Sequence, residues 1–450
     1  MNGRDMACHV SKKRRIMERE MKDSGIPWIG EIPKDWEKRK MRTLGDFTAS
    51  GIDKKIIENE HLLKIINYVD VYNNTSHELR NDKEYMVVSA SLDKINEHKI
   101  KIGDLIFTPS SETKEDIGMS AVVMEDIPNT AYSYHVIRFR QNNSNLIDLK
   151  YSKYLCNNAL IWQYFSSNSN GTIRQTLSRE VFKECEVLLP PLQEQKAIAE
   201  FLDKKCGEID ELVTLQNKMI EELKAYKQSI ISETVTGKNH IGRTSRTSLQ
   251  PIPMKDSGIE WIGEIPQHWK VSKLKYYIEI GSGDGISKEN ILEEGLYPVF
   301  GGGEMIGYLN NSNVKALNII IGRVGARCGC ITLLKEDAWA TDNSLICKTN
   351  QNPYFLSYLL VGYNLNRLNE SVAQPLITST KIKNISIGLP TLSEQQEIAD
   401  FLDKKCSEID SLIELKQQKI EELKDYKKSI IYEYVTGKKS VGTWRAMSAK

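Results

Sequence analysis

Three short motifs in this chain carry residue types that could do chemistry. Asn352-Pro-Tyr-Phe355 is close to the Asn-Pro-Pro-aromatic motif of adenine methyltransferases but lacks the second proline. It opens an apolar run, where Asn is expected to cap a helix. Phe300-Gly-Gly-Gly303 faintly suggests a methyl-donor loop, but Glu304 follows, no strand-to-helix context continues it, and no lysine completes a phosphate loop. It is expected to be a turn. Cys328-Gly-Cys330 has no second cysteine pair at zinc spacing, and the 7 histidines form no H-x-x-x-H or H-E-x-x-H cluster. No carboxylate pair with a nearby lysine makes a nuclease site. No catalytic residue, no metal ligand and no enzymatic activity is therefore assigned to the chain itself.

The elements that would position any binding residues repeat at two different offsets. The opening block 21–36 (MKDSGIPWIGEIPKDW) returns at 254–269 with 13 of 16 residues identical, 233 positions later. The closing block 189–238 returns at 389–438 with 33 of 50 identical, only 200 positions later. Each half is thus a near-constant opening, an insert of its own length and a near-constant close. That organisation presents two different surfaces from one symmetric scaffold.

The chain has 450 residues, enough for several cores, with 27% charged residues and no apolar run of the roughly 18 residues that a span needs. A soluble, cytoplasmic protein with reduced cysteines is expected. Net charge is +1, but its distribution is uneven: residues 1–44 carry 12 Lys+Arg against 7 Asp+Glu, and the first insert (45–188) 16 against 20. No segment is a polycation, so any DNA reading must come from a few placed residues.

In each closing block, Pro190-Pro191 or Pro390 precedes a long stretch without proline, ended by Gly237 or Gly437. Leu202, Ile209, Gln216, Leu223 and Ile230 recur every seventh residue, with Leu212, Met219 and Tyr226 three positions on. The second copy has Leu402, Ile409, Lys416, Leu423 and Ile430, with Leu412 and Tyr426. Cys206, Val213 and Ile220 widen the stripe. The spacing predicts two rods of about 65 Å, packed on each other as a coiled coil. Gln216 and Lys416 share one heptad position, a device for fixing register. The inserts read as mixed α and β: strands at 104–108, 121–124 and 136–139 with a helix over 149–165 in the first, and strands at 316–321, 329–334 and 345–348 with a helix over 354–368 in the second.

The opening SGIxWIGEIPxxW, the close LPxLxEQxxIAxFLDKKCxEID and the terminal EELKxYKxSIIxExVTGK resemble the specificity subunit of type I restriction–modification systems, over about residues 21–440. The resemblance implies an α+β chain with two small mixed α/β target recognition domains in pseudo-two-fold repeat, separated by two long helices that form an antiparallel coiled coil. It divides the chain into a disordered basic arm (1–20), a first recognition domain (21–188), a first conserved helix (189–238), a linker (239–253), a second recognition domain (254–388), a second conserved helix (389–438) and a tail (439–450). Each domain would read one half of a bipartite double-stranded DNA target. The partners implied are two methylation subunits and two restriction subunits, with no membrane. S-adenosylmethionine, ATP and Mg2+ would belong to those partners, so this chain is expected to bind no cofactor.

Base edges are read by Arg, Lys, Asn, Gln, Ser or Thr, whose donors and acceptors match the major-groove pattern. The DNA-binding candidates are Ser110, Ser111, Lys114, Thr172, Arg174, Gln175 and Arg179 in the first domain, and Arg323, Arg327, Gln374, Ser379 and Lys381 in the second. Each could equally be a solvated loop residue or a phosphate contact. The coiled-coil interface is assigned to Leu202, Ile209, Leu212, Leu223, Ile230, Leu402, Ile409, Leu412, Leu423 and Ile430. A bare coiled-coil scaffold would leave the two folded inserts unexplained, and a self-contained methyltransferase–nuclease would need motif-bearing domains that the sequence lacks.

Overall fold

The computed structural model describes residues 19–26, 29–239, 253–369 and 375–441. The expected arm (1–20), linker (239–253) and tail (439–450) fall almost wholly outside the described residues, as does Gln374. Packing divides the chain into two compact units: one takes the residues up to Val213 and from Ile420 onward, the other Thr214–Lys419. The cut passes through both long helices. Each unit therefore holds one insert, the first half of that insert's own closing helix and the second half of the other.

In the first unit a five-stranded sheet runs in the order Gly45–Ala49, Ile137–Gln141, Leu105–Phe107, Ser120–Val123, Glu78–Leu79, antiparallel except for the last pair. A three-stranded sheet runs Thr130–Tyr132, His61–Ile66, Met86–Ala90. The second unit has Ile278–Ser282, Ser344–Thr349, Ile319–Gly322, Ile331–Leu333, and a three-stranded sheet of Glu304–Leu309, Tyr297–Gly301, Trp339–Ala340. The orders match strand for strand, apart from the extra edge strand Glu78–Leu79. One small fold is used twice, and the longer first insert adds the helix Leu92–His98 before its third core strand. Phe47, Phe107, Phe139, Phe165 and Phe182 pack ring against ring in the first core. The second core is mostly aliphatic, with Ile319, Ile321 and Leu359 beside Phe355.

Two helices differ from the sequence reading. The stretch 149–165 is two helices, Leu149–Cys156 and Ala159–Asn168, because the Asn158 side chain accepts from the N–H groups of Leu160 and Ile161 and starts a new helix. In the second domain Pro353–Tyr363 stops at Asn364, whose left-handed φ of 59° turns the chain into the 3-10 turn Leu365–Leu368.

The opening and closing blocks pack on each other, and the strands that adjoin them pair. Opening strand Glu37–Lys40 pairs antiparallel with Glu186–Leu189, and Lys270–Lys273 with Ser386–Leu389. Trp36 is buried and donates its indole N–H to Glu194 at 2.9 Å, and Arg19 clamps the same carboxylate at 2.6 and 2.8 Å. In the second unit Glu394 turns instead to the Thr391 N–H and hydroxyl and to His268 at 2.6 Å. The buried Trp269 N–H is left without a partner among the described residues.

The rods are Leu192–Val235 and Leu392–Val435, 44 residues each. Glycines at φ 76° (Gly237) and 72° (Gly437) end them, and the Lys238 N–H returns to the Glu233 carbonyl at 2.9 Å. Within each unit the two halves run antiparallel. In the first, Phe201 packs on Tyr434 with centroids 4.5 Å apart and Asp210 pairs with Lys427 at 2.7 Å. In the second, Lys416 donates to Gln216 at 3.3 Å and Lys227 pairs with Asp410 at 2.7 Å. Leu202, Ile209, Ile230, Leu402, Ile409 and Ile430 are buried, and Leu223 and Leu423 half-buried.

Leu212 and Leu412 are off this seam, 46% and 47% exposed, beside exposed Met219, Tyr226 and Tyr426. The companion row is instead Cys206, Val213, Ile220 and their counterparts. Both rows flank the same heptad stripe, so periodicity alone does not choose between them. The choice is made at the rod ends, where Ile198, Ala199, Leu202, Ile231 and Val235 are seated in the domain cores and set each helix's rotation. No helix among the described residues is long and apolar enough to cross a membrane.

Candidate nucleic-acid interface

In the first domain, residues 108–111 and 170–178 form a two-stranded tongue. Ser111 lies opposite Gln175 and Ser110 opposite Thr176, and the Leu177 N–H reaches the Pro109 carbonyl at 2.8 Å. Within the second segment the loop between Asn170 and Thr176 is short and braced. Asn170 and Thr176 exchange both backbone hydrogen bonds at 2.8 and 3.1 Å, and Gly171, at φ 141°, leaves no room for a Cβ beside the Arg174 carbonyl. Gln175 is buried; its amide donates to the Gly171 carbonyl at 2.8 Å and its oxygen accepts from Ser169 at 3.1 Å.

The structure therefore brings the candidates 110–114 and 172–179 together and sorts them. Ser111 and Gln175 face inward and hold the tongue's shape. Lys114, Thr172, Arg174 and Arg179 are exposed and Ser110 is half-buried. Two aromatics that the sequence reading passed over complete the surface. Tyr68 lies under the Arg174 guanidinium, 5.9 Å from ring centre to Cζ, and stacks on Tyr72 at 5.2 Å. Burial raises the pKa of both phenols, and the Tyr72 hydroxyl donates to Asp116 at 3.1 Å, as does Thr113 at 3.0 Å. Their signal was the four-residue spacing on a helix capped by Asn67, which puts both rings on one face.

The second domain repeats the base of the tongue with other residues; the counterpart of the loop lies outside the described residues. Val324 bridges to Leu376, and the Ile377 N–H reaches the Arg323 carbonyl at 3.0 Å, the counterpart of Leu177 on Pro109. Thr378 caps the following helix as Ser178 does in the first domain. Arg323 is half-buried, its N–H bound to the Asn343 carbonyl at 3.1 Å. Arg327 is exposed in the turn Gly325–Arg327 and pairs with Glu304 at 2.8 Å. Ser379 is half-buried, and the Lys381 ammonium donates to the Leu368 carbonyl at 3.0 Å.

Two of the three motifs considered for chemistry form a turn and a helix cap. Gly302 and Gly303, at φ 64° and 89°, are the two-residue hairpin turn between paired Gly301 and Glu304. That turn lies against Gly322, so close that a Cβ there would meet the Gly302 carbonyl. Asn352 caps Pro353–Tyr363, its side chain accepting from the Phe355 N–H at 3.0 Å.

The family model described as "Type I restriction modification DNA specificity domain" matches residues 33–225 and 266–425. The type I restriction enzyme MjaVIII specificity subunit of Methanocaldococcus jannaschii is 29% identical over 335 residues, 67% of this chain and 73% of that one. An MjaX chain from the same archaeon aligns over 443 residues at 26% identity, 92% of this chain and 96% of its own length. A solved chain described under "complex assembly and conformational transition of the type I R-M system" shares the fold with a TM-score of 0.67 at 16% identity, covering 90% of this chain and 99% of that one. Two matched specificity domains place the chain in the type I restriction–modification specificity-subunit family, with two DNA recognition domains.

Proposed function

We propose that each recognition domain reads one half of a bipartite DNA target through its tongue, while the rods set the spacing and recruit the methylation and restriction subunits. The observation that carries this reading is the duplicated base of the tongue: equivalent backbone bonds, Leu177 N–H to Pro109 and Ile377 N–H to Arg323, close a frame beside Ser110, Thr172 and Arg174 in one domain and Arg323 and Arg327 in the other. A constant frame with different donors is what two different half-sequences require. The chain does no chemistry; S-adenosylmethionine, ATP and Mg2+ are held by the partner subunits. Two methylation subunits per chain fit the duplicated rods. Their docking surface is the exposed apolar row off the seam: Leu212 and Tyr426 in one unit, and Met219, Tyr226, Leu412 and Leu415 in the other.

The modified-adenine map of a cell that expresses the chain with its methylation subunits gives the target directly. Exchanging residues 45–188 for the corresponding insert of a relative is expected to change one half of that target and leave the other half and the spacing intact. A swap that alters both halves together would refute independent reading.

A further inference from the structure

We infer that Ile173 is a wedge that enters the base stack of the first half-site, so that this domain selects its target partly by how easily one base step opens. The inference rests on the reading of this domain as a DNA reader. Ile173 is 91% exposed, more than any other large hydrophobic side chain of the described residues. It stands at the tip of the tongue, between the exposed Thr172 and Arg174.

Its presentation is rigid. The Asn170–Thr176 backbone pair closes the loop, the Gln175 amide ties the Gly171 carbonyl from inside, and Arg174 rests on the Tyr68–Tyr72 stack. A β-branched side chain adds few rotamers of its own. A tip held this firmly keeps its apolar group in water for want of any place to fold it back.

The surroundings select the occupant. A protein partner needs roughly 800 Å² of surface per side, and one side chain among Lys114, Thr172, Arg174 and Arg179 offers no such patch. Those neighbours are groups that bind phosphate and base edges. Isolated apolar residues flanked by cations are the means by which DNA-binding proteins unstack adjacent base pairs and kink the duplex, and the cost of unstacking depends on the step. The aliphatics next in exposure, Leu296 and Ile56, lie off the tongue.

The test uses the full chain in complex with its methylation subunits, and duplexes carrying the mapped target with 2-aminopurine or pyrrolocytosine placed singly through both half-sites. The wild-type complex should raise emission severalfold at one step of the first half-site, apart from any adenine drawn out for methylation. I173A should lose that emission and bind the target ten- to a hundredfold more weakly, with affinity for unrelated duplex changed less than twofold and thermal stability unchanged. I173L, which keeps the apolar volume, should retain both signals. Emission absent from the wild-type complex at every first-half step outside the methylated adenine, or unchanged in I173A, overturns the wedge while leaving the recognition reading standing. A wild-type complex without preference for the mapped target overturns both.

Discussion

His77 sits in left-handed backbone (φ 56°) with its ring Nδ1 3.1 Å from the Ser120 carbonyl. Beside it Lys153 bridges Glu78 at 2.6 Å and Asp203 at 2.7 Å, and Lys427 holds Asp210, which ties the first insert to the rod halves of its own unit. Burial, helped by the charges of Lys427 and Lys153 and opposed by the Ser120 bond, pushes His77 down to about 4. Its folded pKa lies below the unfolded one, so its contribution is complete above about 6.5 and is lost as pH falls toward 4. Glu78 acts in the same sense. Burial alone would raise it, but Lys153 and Arg80 outweigh that and hold it low, so its stabilisation is present above the ordinary carboxylate range and lost in acid. His77→Asn keeps a side chain that tolerates positive φ and removes the titration. Urea unfolding of the full chain at pH 7 and 4.5 should show the variant losing up to about 3 kcal/mol less than wild type between the two. Equal losses would mean that the ring is not the titrating group.

Among elements, the rod ends and the rod middle make opposite demands on glycine. Gly437 needs its left-handed φ of 72°, and a Cβ there would run into Pro33 and approach Trp36. Gly207 is helical, with open space where its Cβ would be. Gly437→Ala is expected to cost about 1–3 kcal/mol through backbone strain and displacement of the opening hairpin. Gly207→Ala should gain about 0.5–1 kcal/mol by restricting the unfolded chain. Both are read from urea midpoints of the full chain. A neutral Gly437→Ala would show that the second rod does not end against the opening block.

At the scale of the whole molecule, the rods are proposed as the ruler of the target. The pairs Gln216–Lys416 and Lys227–Asp410 fix the register of one rod on the other, so lengthening one rod alone between them would keep one pair only by breaking the other. Seven residues added to each rod, after Asn217 and Gln417, preserve the heptad seam and add about 10 Å, roughly three base pairs of rise. The modified-adenine map should then show the same two half-sequences with a spacer longer by about three bases. An unchanged spacer with full activity would mean that something other than the rods sets the distance.

The sequence alone determined the duplication, the length and ends of the rods, the mixed α and β character of the inserts and the family, because repeats, heptads, prolines and helix-ending glycines are local signals. It also named as candidates residues that the fold brings together, 110–114 with 172–179 in the first domain, and Arg323 at the base of the second. What it could not decide depends on partners distant in the chain. Leu212 and Cys206 flank one stripe, and only the seating of the rod ends in two cores turns the first to solvent and the second inward. Ser111 and Gln175 have the chemistry of base readers, but the tongue's pairing consumes their hydrogen-bonding groups inside the domain. The same pairing leaves Ile173, which looks like any core aliphatic in the sequence, standing in water at the tip.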